Sequence, residues 1–474
     1  MADGFAPAEL ADRTVLVCGA RLAGASAVRA LLRHGARVLV MDDAAPAEPL
    51  PAGAAFLGAV DVVPDGVSFV VTSPGFRPDS PILRHALDTG RPVLGEVEFA
   101  WQLRRLRPGR PARWLALTGT NGKTTTVRML ESMLRAGGRA ALAVGNVGVS
   151  IIDAVDTGAW DVLAVELSSF QLHWSQTLRV EAGALLNLAP DHLDWHAGMD
   201  AYARAKTKVW HAAVAVGNAD DPLVSRLLAE QLLRRPATRG VTVTLGEPAT
   251  GQLGVVDGWL VDAAFASAPT PIIAAAEVRP AGRHNVANAL FAASLALADG
   301  LGHDAVAQGL RDFVPDPHRN QLVGTRAGVR FVDDSKATNP HAAAASLAAY
   351  ESVVWIAGGQ LKDAPVHELV ARFGPRLRAA VLLGVDQDVI AAALARHAPD
   401  VPVFRVVSTD DGAMMEVVRV ALQVARPGDT VLLAPAAASY DMFSGYPARG
   451  AAFVAAVRSF GPLDDEPVAP AVGE

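Results

Sequence analysis

Short apolar runs alternate with helical patterns along most of the chain. From Thr14 the sequence reads TVLVCGA, ASAVRALLRHG, ARVLVMDD, VSFVVTSPG and PILRHALDTG, so short buried strands alternate with amphipathic helices. The alternation returns in the middle of the chain and again near its end, with apolar runs in RFVDDS, SVVWIAGG, AAVLLGV and DTVLLAPA. Because strands that alternate with helices form parallel sheets, the pattern predicts an α/β protein.

Proline-rich junctions divide this pattern into three parts. A chain of 474 residues is too long for one compact core. The basic segment RLRPGRPAR is typical of a linker, and DFVPDPHRNQ closes the middle part. We therefore predict an N-terminal Rossmann-like domain, a central P-loop ATPase-like parallel sheet, a C-terminal Rossmann-like domain and a disordered tail, in residues 1–112, 113–316, 317–461 and 462–474.

Charge and composition exclude several classes of protein. The formal net charge of -7 gives no broad basic surface for nucleic acid. A single cysteine, Cys18, excludes an internal disulfide framework and fits a reducing compartment. The first residues carry acids and no basic signal region, and we find no apolar run long enough to span a bilayer. We expect a cytoplasmic protein without nucleic-acid or membrane partners.

A phosphate-binding loop is indicated by LALTGTNGKTTTV. An apolar strand pattern precedes the loop, and a helical pattern begins at Thr124. Backbone N–H groups and a helix N-terminus would stabilise an anion there, with Lys123 adding a charge and Thr124 a hydroxyl for Mg²⁺. The strict G-x-x-x-x-G-K-[ST] pattern fails because Leu117 occupies the first glycine position. An ordinary glycine-rich turn is the alternative.

Two polar side chains follow other predicted strands. Glu166 comes after DVLAV, and His192 comes after GALLNL. Because the carboxyl ends of parallel strands face one crevice, both should lie near the phosphate-binding loop. A carboxylate and an imidazole could share a divalent metal there. A structural histidine is the alternative for His192.

The first glycine-rich turn, VCGARLAGASAV, is ambiguous. Like a dinucleotide-binding turn it follows a strand and opens a helix, but Arg21 replaces the second glycine, which normally lets the backbone approach a pyrophosphate. NAD binding is therefore weakly supported. Another diphosphate ligand and simple packing of helix on strand remain as alternatives.

Further polar residues suggest nucleotide contacts in the second half of the chain. Asn285 and Asn288 share a helical face, where two amides can bind an adenine edge; N-capping is the alternative, which these residues alone do not exclude. Arg319 lies at a domain junction and could clamp a phosphate on closure. VDDSKATNP places acid, hydroxyl and lysine at a strand exit, for which a solvated turn is the alternative.

Lysine is scarce in this chain. Of 42 basic residues only five are lysines, Lys123, Lys206, Lys208, Lys336 and Lys362. A lysine amine can lose its proton and react, which a guanidinium does not do at neutral pH, so each retained lysine is a candidate for chemistry. We make one exception and assign Lys208 to a solvated face.

The order of motifs resembles the Mur ligases, ATP-dependent amide-bond-forming enzymes of peptidoglycan synthesis. The motifs are TGTNGKTT, ELSSFQL, DHLD, YARAK, GRHNVANA, PHR, DDSKATN, AGG and APAAASYDMF, and the resemblance covers nearly the whole chain. Asn121, ELSSFQL and DDSKATN are similar to the branch that adds D-glutamate to UDP-N-acetylmuramoyl-L-alanine. The resemblance implies that a carboxylate attacks the γ-phosphate of ATP and that the amine of D-glutamate then displaces phosphate from the acyl phosphate. We expect a monomer.

The resemblance also implies roles for individual residues. The catalytic residues would be Lys123, Glu166, His192 and Lys206. ATP would contact Gly119, Thr120, Asn121, Gly122, Lys123, Thr124, Thr125, Asn285, Asn288, Arg319 and Asp334. The UDP-substrate would contact Gly19, Arg21, Leu22, Ala23, Asp42, Asp43, Ser73, Pro74, Gly75, Asn146 and His192. D-Glutamate would contact Lys336, Thr338, Lys362, Ser439, Tyr440 and Tyr446.

The implied cofactors are ATP, two Mg²⁺ ions with Mn²⁺ as a substitute, and CO₂. The metal ligands would be Thr124, Glu166, His192 and Lys206, the lysine being carbamylated by CO₂. Carbamylation requires a neutral amine, so arginine could not replace this lysine.

The sequence departs from the family pattern at a few positions. Arg21 stands where a glycine is expected, and Asp43 and Ala44 stand where a family member can show Thr-Arg. Tyr446 aligns with a phenylalanine, and GGQLK lacks an acidic residue sometimes found before Lys362. Arg21 would then supply the cation that Ala44 lacks.

Three other functions compete with this interpretation. A folylpolyglutamate synthase would begin near the phosphate-binding loop and lack the N-terminal domain. A non-catalytic UDP-sugar sensor would not need intact Lys123, Glu166, His192 and Lys206. A nicotinamide oxidoreductase is disfavoured by Arg21.

Overall fold

The computed structural model describes residues 10–46, 48–106, 109–362, 364–407 and 412–464. The predicted tail lies outside these residues from position 465, as do positions 107 and 108 of the predicted linker. These described residues form two compact units: those up to 278 with 286–313, and residues 279–285 with the described residues from 314 to 464.

The first unit contains an N-terminal sheet of five parallel strands. The strands are β1 (Thr14–Cys18), β2 (Arg37–Met41), β3 (Ala54–Phe56), β4 (Val67–Thr72) and β5 (Val93–Gly95), in the order β3-β2-β1-β4-β5. The accompanying helices are α1 (Leu22–Arg33), α2 (Pro81–Asp88) and α3 (Glu96–Leu103). Strand β1 is central and buried, as expected for a parallel sheet covered on both faces.

The first unit also contains a nine-stranded sheet. Its strands are β6 (Arg113–Thr118), β7 (Ala141–Gly145), β8 (Val162–Glu166), β9 (Val180–Leu185), β10 (Ala212–Asn218), β11 (Arg239–Val243), β12 (Gln252–Val256), β13 (Trp259–Asp262) and β14 (Thr270–Ala274), in the order β14-β13-β12-β11-β10-β9-β6-β8-β7. The helices of this region are α4 (Lys123–Ala136), α5 (Ile151–Thr157), α6 (Ser169–His173), α7 (Leu193–His196), α8 (Met199–Thr207), α9 (Pro222–Arg234), α10 (Arg283–Ala298) and α11 (His303–Asp312).

Strands β13 and β14 pair antiparallel at the edge of this otherwise parallel sheet. The two-residue turn between β12 and β13 is Asp257–Gly258, with φ values of 48° and 78°. Consecutive positive φ values are typical of the turns that connect antiparallel strands directly, so no crossover helix is needed.

The second unit is built around a six-stranded sheet. Its strands are β15 (Gln321–Arg326), β16 (Val329–Asp333), β17 (Val353–Gly358), β18 (Leu377–Leu383), β19 (Val403–Arg405) and β20 (Thr430–Leu433), in the order β15-β16-β20-β17-β18-β19. Its helices are α12 (Pro340–Leu347), α13 (His367–Phe373), α14 (Gln387–His397), α15 (Ala413–Val424) and α16 (Tyr446–Ser459). Only β15 is antiparallel to its neighbour within this described sheet.

The α/β class predicted from the hydrophobic pattern is confirmed, and each predicted domain range contains one parallel-dominated sheet. The domain boundaries themselves stay predictions. Residues 279–285, which the sequence assigned to the central domain, group with the second unit. No helix within the described ranges is both long and apolar enough to cross a membrane.

Candidate active site

The phosphate-binding loop connects the buried strand β6 to helix α4. Leu117 is fully buried and pairs with Glu166 of β8, so it belongs to the strand, and the loop begins only after it. Gly122 has a φ of 82°, and a Cβ atom there would lie 2.4 Å from Asn288 Oδ1. The loop therefore has its glycine where a side chain could not fit, although it fails the strict consensus.

An asparagine that the sequence analysis missed supports this loop. Asn187 Oδ1 accepts hydrogen bonds from the N–H groups of Thr120 at 3.0 Å and Asn121 at 2.9 Å, and Asn187 Nδ2 donates to Asn121 O at 3.1 Å. The Thr120 hydroxyl accepts from Ala189 N at 3.0 Å. The N–H groups of Thr120 and Asn121, which we expected to face phosphate, thus have partners inside the protein. The only available signal was the position of Asn187 just after strand β9.

Two lysines meet at the start of the loop. Lys123 Nζ donates to Gly119 O at 3.0 Å and to Thr120 O at 2.9 Å. Lys206, from helix α8, donates to Gly119 O at 2.7 Å and to Thr118 Oγ1 at 3.1 Å. The side chain of Lys206 is buried, and its burial, reinforced by the charge of Lys123, lowers the pKa of its amine well below the usual value.

Glu166 ends strand β8 and is only 1% exposed. Its Oε1 accepts a hydrogen bond from Asn146 Nδ2 at 2.8 Å, whereas Oε2 is buried and has no hydrogen-bond partner within the described part of the chain. A buried carboxylate oxygen without a partner is costly, so this atom is suited to a cation.

His192 precedes helix α7 and has a φ of 51°. Its half-exposed ring packs against Phe170 at 4.7 Å between centroids, and its Nε2 lies 3.6 Å from Asp191 Oδ2. Among the residues that the structure describes, no group of three or more His, Cys, Asp or Glu side chains could hold a metal. The predicted metal set contains only two such residues, so a metal there would need ligands of another type as well.

Lys208 is not a solvent-facing lysine. It is partly buried, and its Nζ donates to His173 O at 2.6 Å and Ser175 O at 2.9 Å. The assignment of Lys208 to a solvated face was therefore wrong. Helical spacing alone could not reveal it, because both acceptors lie on a distant segment of the chain.

A cavity of about 970 Å³ lies within the first unit, a volume that suits a large ligand. Ten of the eleven positions predicted to contact the UDP-substrate line it: Gly19, Arg21, Leu22, Ala23, Asp42, Asp43, Ser73, Pro74, Gly75 and Asn146. His192, the remaining predicted position, is not among the lining residues. A Cβ atom at Gly19 would lie 2.4 Å from Ser73 Oγ, which explains the glycine.

Arg21 is an exposed cation at this cavity. It precedes helix α1, whose first turn contains no acidic residue, and it forms no ion pair with any described residue. Arg77 also lines the cavity but pairs with Asp79 at 3.2 Å. Positive charge at a helix N-terminus favours an anionic ligand.

Two further cavity residues were missed by the sequence analysis. The side chains of Glu96 and Gln171 both line the cavity, and Gln171 Nε2 donates a hydrogen bond to Glu96 Oε1. Burial raises the pKa of the Glu96 carboxyl, and the hydrogen bond from Gln171 partly offsets that rise. Gln171 also accepts from Ser168 N at 2.8 Å, so its amide orientation is defined.

In the second unit, three loops with predicted D-glutamate contacts are bonded to one another. Ala436 N donates to Ala337 O at 2.9 Å, and Gln360 and Ala438 exchange backbone hydrogen bonds of 2.8 and 2.9 Å. These bonds connect the loops that carry Lys336 and Thr338, Lys362, and Ser439 and Tyr440.

The side chains on these loops differ in environment. Lys336 Nζ lies 4.0 Å from the ring centroid of Tyr446, a cation–π contact. Ser439 is buried, Tyr440 is 70% exposed, and Lys362 is exposed with a φ of 53°. Lysines and hydroxyls on adjoining loops can bind an amino acid with two carboxylates.

Two of the predicted nucleotide contacts in the second unit have protein partners. Asp334 is partly buried; its Oδ1 accepts from Asn320 N at 3.1 Å and its Oδ2 from the hydroxyl of Ser346. Burial raises the pKa of Asp334 to about 6. Arg319 Nε lies 3.8 Å from Asp316 Oδ2.

The two amides predicted to contact adenine both lie in helix α10. Asn285 belongs to the second unit and contacts His284 Nε2 at 3.0 Å, whereas Asn288 belongs to the first unit, beside Gly122. Asn288 thus lies at the phosphate-binding loop.

Comparison with known proteins gives matches over nearly the whole chain. The Mur ligase middle domain matches residues 117–296, and the Mur ligase glutamate ligase domain matches residues 318–437. A UDP-N-acetylmuramoylalanine–D-glutamate ligase of Thermobifida fusca is 54% identical over 467 residues, covering 95% of this chain and 99% of the relative. The chain belongs to the Mur ligase family.

Two further comparisons concern this Mur ligase over its whole length. A UDP-N-acetylmuramoylalanine–D-glutamate ligase of Streptomyces coelicolor is 50% identical, covering 96% of this chain and all of the relative. The crystal structure of a UDP-N-acetylmuramate–alanine ligase of Thermotoga maritima is 17% identical, with a TM-score of 0.57 over 95% of this chain and all of that one. At that identity the likeness concerns the fold alone.

Proposed function

We propose that this Mur ligase adds D-glutamate to UDP-N-acetylmuramoyl-L-alanine at the expense of ATP, in the cytoplasmic synthesis of peptidoglycan precursors. The observation that carries the proposal is the identity of 54% over nearly the whole chain to a relative that is named for this reaction. The cavity of about 970 Å³ in the first unit supports a large UDP-linked substrate. We expect the enzyme to act as a monomer.

The reaction requires activation of a carboxylate. An oxygen of the alanyl carboxylate attacks the γ-phosphorus of ATP, and ADP leaves. The D-glutamate amine then attacks the carbonyl of the acyl phosphate to form a tetrahedral intermediate. The amine attacks in its neutral form; as the intermediate expels phosphate, the nitrogen loses one proton and keeps one as the amide N–H. Each step develops negative charge on oxygen, so groups that stabilise oxyanions should dominate catalysis. The location of the Lys123 ammonium group at the loop, where it donates to Gly119 O, supports this role for it.

The unpartnered Oε2 of Glu166 supports a metal site beside the loop. When bound, Mg²⁺ would neutralise charge on phosphate oxygens. Glu166, Thr124, His192 and a carbamylated Lys206 would hold two such ions, with Mn²⁺ as a substitute. The burial that lowers the pKa of Lys206 favours the neutral amine, which is the form that can react with CO₂.

D-Glutamate would bind to the connected loops of the second unit. Lys336 and Lys362 offer two cations for two carboxylates, while Thr338 and Ser439 offer hydroxyl donors. When three substituents of a chiral centre are fixed, only one enantiomer directs its amine toward the acyl phosphate. Tyr446 packs on Lys336 and so limits the directions in which the ammonium group of Lys336 can point.

We expect D-glutamate to be used in strong preference to D-aspartate and L-glutamate. The shorter D-aspartate leaves one cation without its charge-assisted hydrogen bond, which costs about 1.5–3 kcal/mol or roughly 10- to 150-fold in kcat/KM. The test is phosphate release with each amino acid at saturating ATP and UDP-N-acetylmuramoyl-L-alanine. Equal rates with L-alanine, meso-diaminopimelate or L-glutamate would contradict the proposed substrate and leave only the family.

Replacing Arg21 by alanine should raise the KM for the UDP-substrate by roughly 5- to 30-fold, because the anionic group of the substrate loses a cationic partner at the cavity. The value of kcat should change little, since we expect Arg21 to bind the uridine end of the substrate rather than its reacting carboxylate. Steady-state kinetics with varied UDP-substrate measure both. Arg84, an exposed arginine of helix α2 outside the cavity lining, is the matched control as Arg84→Ala. Equal effects of the two substitutions would exclude this role for Arg21.

A further inference from the structure

Arg449 is a buried arginine in the first turns of helix α16. Only 1% of it is exposed, which makes it one of the largest fully buried side chains among the described residues. Its guanidinium donates five hydrogen bonds. Nε donates to Ser335 Oγ at 3.1 Å, and Nη2 donates to Ser335 O at 2.9 Å and to Ala437 O at 3.1 Å. Nη1 donates to Ala437 O at 3.1 Å and to Gly358 O at 3.3 Å.

The three acceptor residues lie within or directly before three different loops. Ser335 directly precedes Lys336, Gly358 ends strand β17 just before the loop that reaches Lys362, and Ala437 lies in the loop after β20 that reaches Ser439. One planar side chain is thus bonded to each loop from which we propose a D-glutamate contact.

The helix that carries Arg449 joins the same network. It begins at Tyr446, whose backbone carbonyl accepts from Ser335 Oγ at 2.8 Å and whose ring packs on Lys336. Packing around the guanidinium is tight, because a Cβ atom at Gly359 would lie 3.3 Å from Arg449 Nη1 and 2.1 Å from Ala438 O. Arg449 therefore holds both the loops and the helix start in one arrangement.

The charge of Arg449 makes this placement costly for the fold. Burial lowers the pKa of its guanidinium to about 10, while Asp441 and Asp333 act in the opposite direction. Its hydrogen bonds within the described part of the chain go to neutral oxygens. A hydrophobic side chain of similar volume would avoid the cost of burying a cation, but it could not bond to three loops.

We propose that Arg449 is a positioning residue that sets the relative placement of the three loops of the amino-acid site. The proposal rests on the proposed function, because it assumes that Lys336, Lys362 and Ser439 contact D-glutamate. Arginine is required because its rigid fork presents five donors in one plane, whereas lysine has three donors around one atom.

The test compares Arg449→Lys and Arg449→Met in the full-length enzyme. Arg449→Lys keeps the charge but loses the fork, so the KM for D-glutamate should rise by about 10-fold or more. The KM values for ATP and the UDP-substrate should stay within about 3-fold, because those ligands bind elsewhere. Arg449→Met should give the larger rise. The matched control is Arg458→Lys, at an exposed arginine of the same helix, which should leave all three KM values unchanged.

Thermal melting separates positioning from simple stability. A lower melting temperature for Arg449→Lys with all three KM values unchanged would overturn the proposal, and so would an equal rise of all three. If Arg449→Met does not fold, Arg449→Lys decides alone. A wild-type enzyme that used another amino acid would overturn the proposed function but not this inference, which then predicts the same selective KM rise for that amino acid.

Discussion

Replacing Lys206 by alanine should lower D-glutamate-dependent phosphate release by about 10³-fold or more, because the site loses the lysine that we propose to become a carbamate ligand of the metal. Lys206→Arg should be as inactive, since a guanidinium is not carbamylated. Short-chain carboxylic acids added to Lys206→Ala should restore part of the activity by placing a carboxylate in the vacated space. The measurement is phosphate release with and without the added acid.

The matched control for this prediction is Arg204→Ala. Arg204 lies on the same helix, but its side chain is exposed. It should keep nearly full activity, and added carboxylic acids should not change its rate. Loss of activity in both variants, with no rescue of Lys206→Ala, would argue for damage to helix α8 rather than for loss of a ligand.

Lys206 should also make stability depend on pH. Burial, followed by the charge of Lys123, lowers the pKa of the Lys206 amine in the folded state, so the unfolded chain holds this proton more tightly than the folded protein does. The free energy of unfolding of the uncarbamylated protein should therefore rise with pH between the lowered pKa and the ordinary lysine pKa. Lys206→Met should lose this contribution. Chemical denaturation at several pH values, without CO₂ or ligands, measures the difference.

Replacing Lys123 by alanine should remove most ATP turnover, by about 10²- to 10⁴-fold, because the loop loses the ammonium group that we propose to stabilise developing phosphate charge. Binding of the UDP-substrate should change little, since Lys123 is not among the residues that line the large cavity. Phosphate release measures the first effect, and calorimetric titration with UDP-N-acetylmuramoyl-L-alanine measures the second.

Arg135→Ala, near the other end of helix α4, is the control for Lys123. Arg135 pairs with Glu131 one turn away, so its loss should affect stability slightly and turnover little. An equal loss of ATP turnover and of UDP-substrate affinity in folded Lys123→Ala would mean that the two ligands do not occupy separate sites.

Local hydrophobic patterns were sufficient to predict most of the fold. The apolar runs identified β6, β8 and β9, and the order of those strands brings the phosphate-binding loop, Glu166 and Asn187 to one edge of the sheet. The same patterns did not indicate that β13 runs antiparallel to both β12 and β14, although the Asp257–Gly258 turn between β12 and β13 was visible in the sequence as a hairpin signal.

The residues that were missed act over long separations. Asn187 bonds to a residue 67 positions away and Arg449 to one 114 positions away. Periodicity within one helix or strand contains no information about such partners. The predicted environment of Lys208 was wrong for the same reason, because the carbonyls to which it donates lie 33 and 35 positions away. The scarcity of lysine had marked Lys208 as unusual, but we assigned it to a solvated face in spite of that signal.

The hydrogen bond between Glu96 and Gln171 limits which substitutions these two cavity positions can accept during evolution. Both polar atoms of the Gln171 amide have partners, one in Glu96 and one in Ser168 N. Gln171→Glu alone would set two buried carboxylates side by side, and one of them would have to remain protonated. A lineage that changes position 171 should therefore change position 96 in the same interval, so the two sites should mutate as a pair even though they lie 75 positions apart.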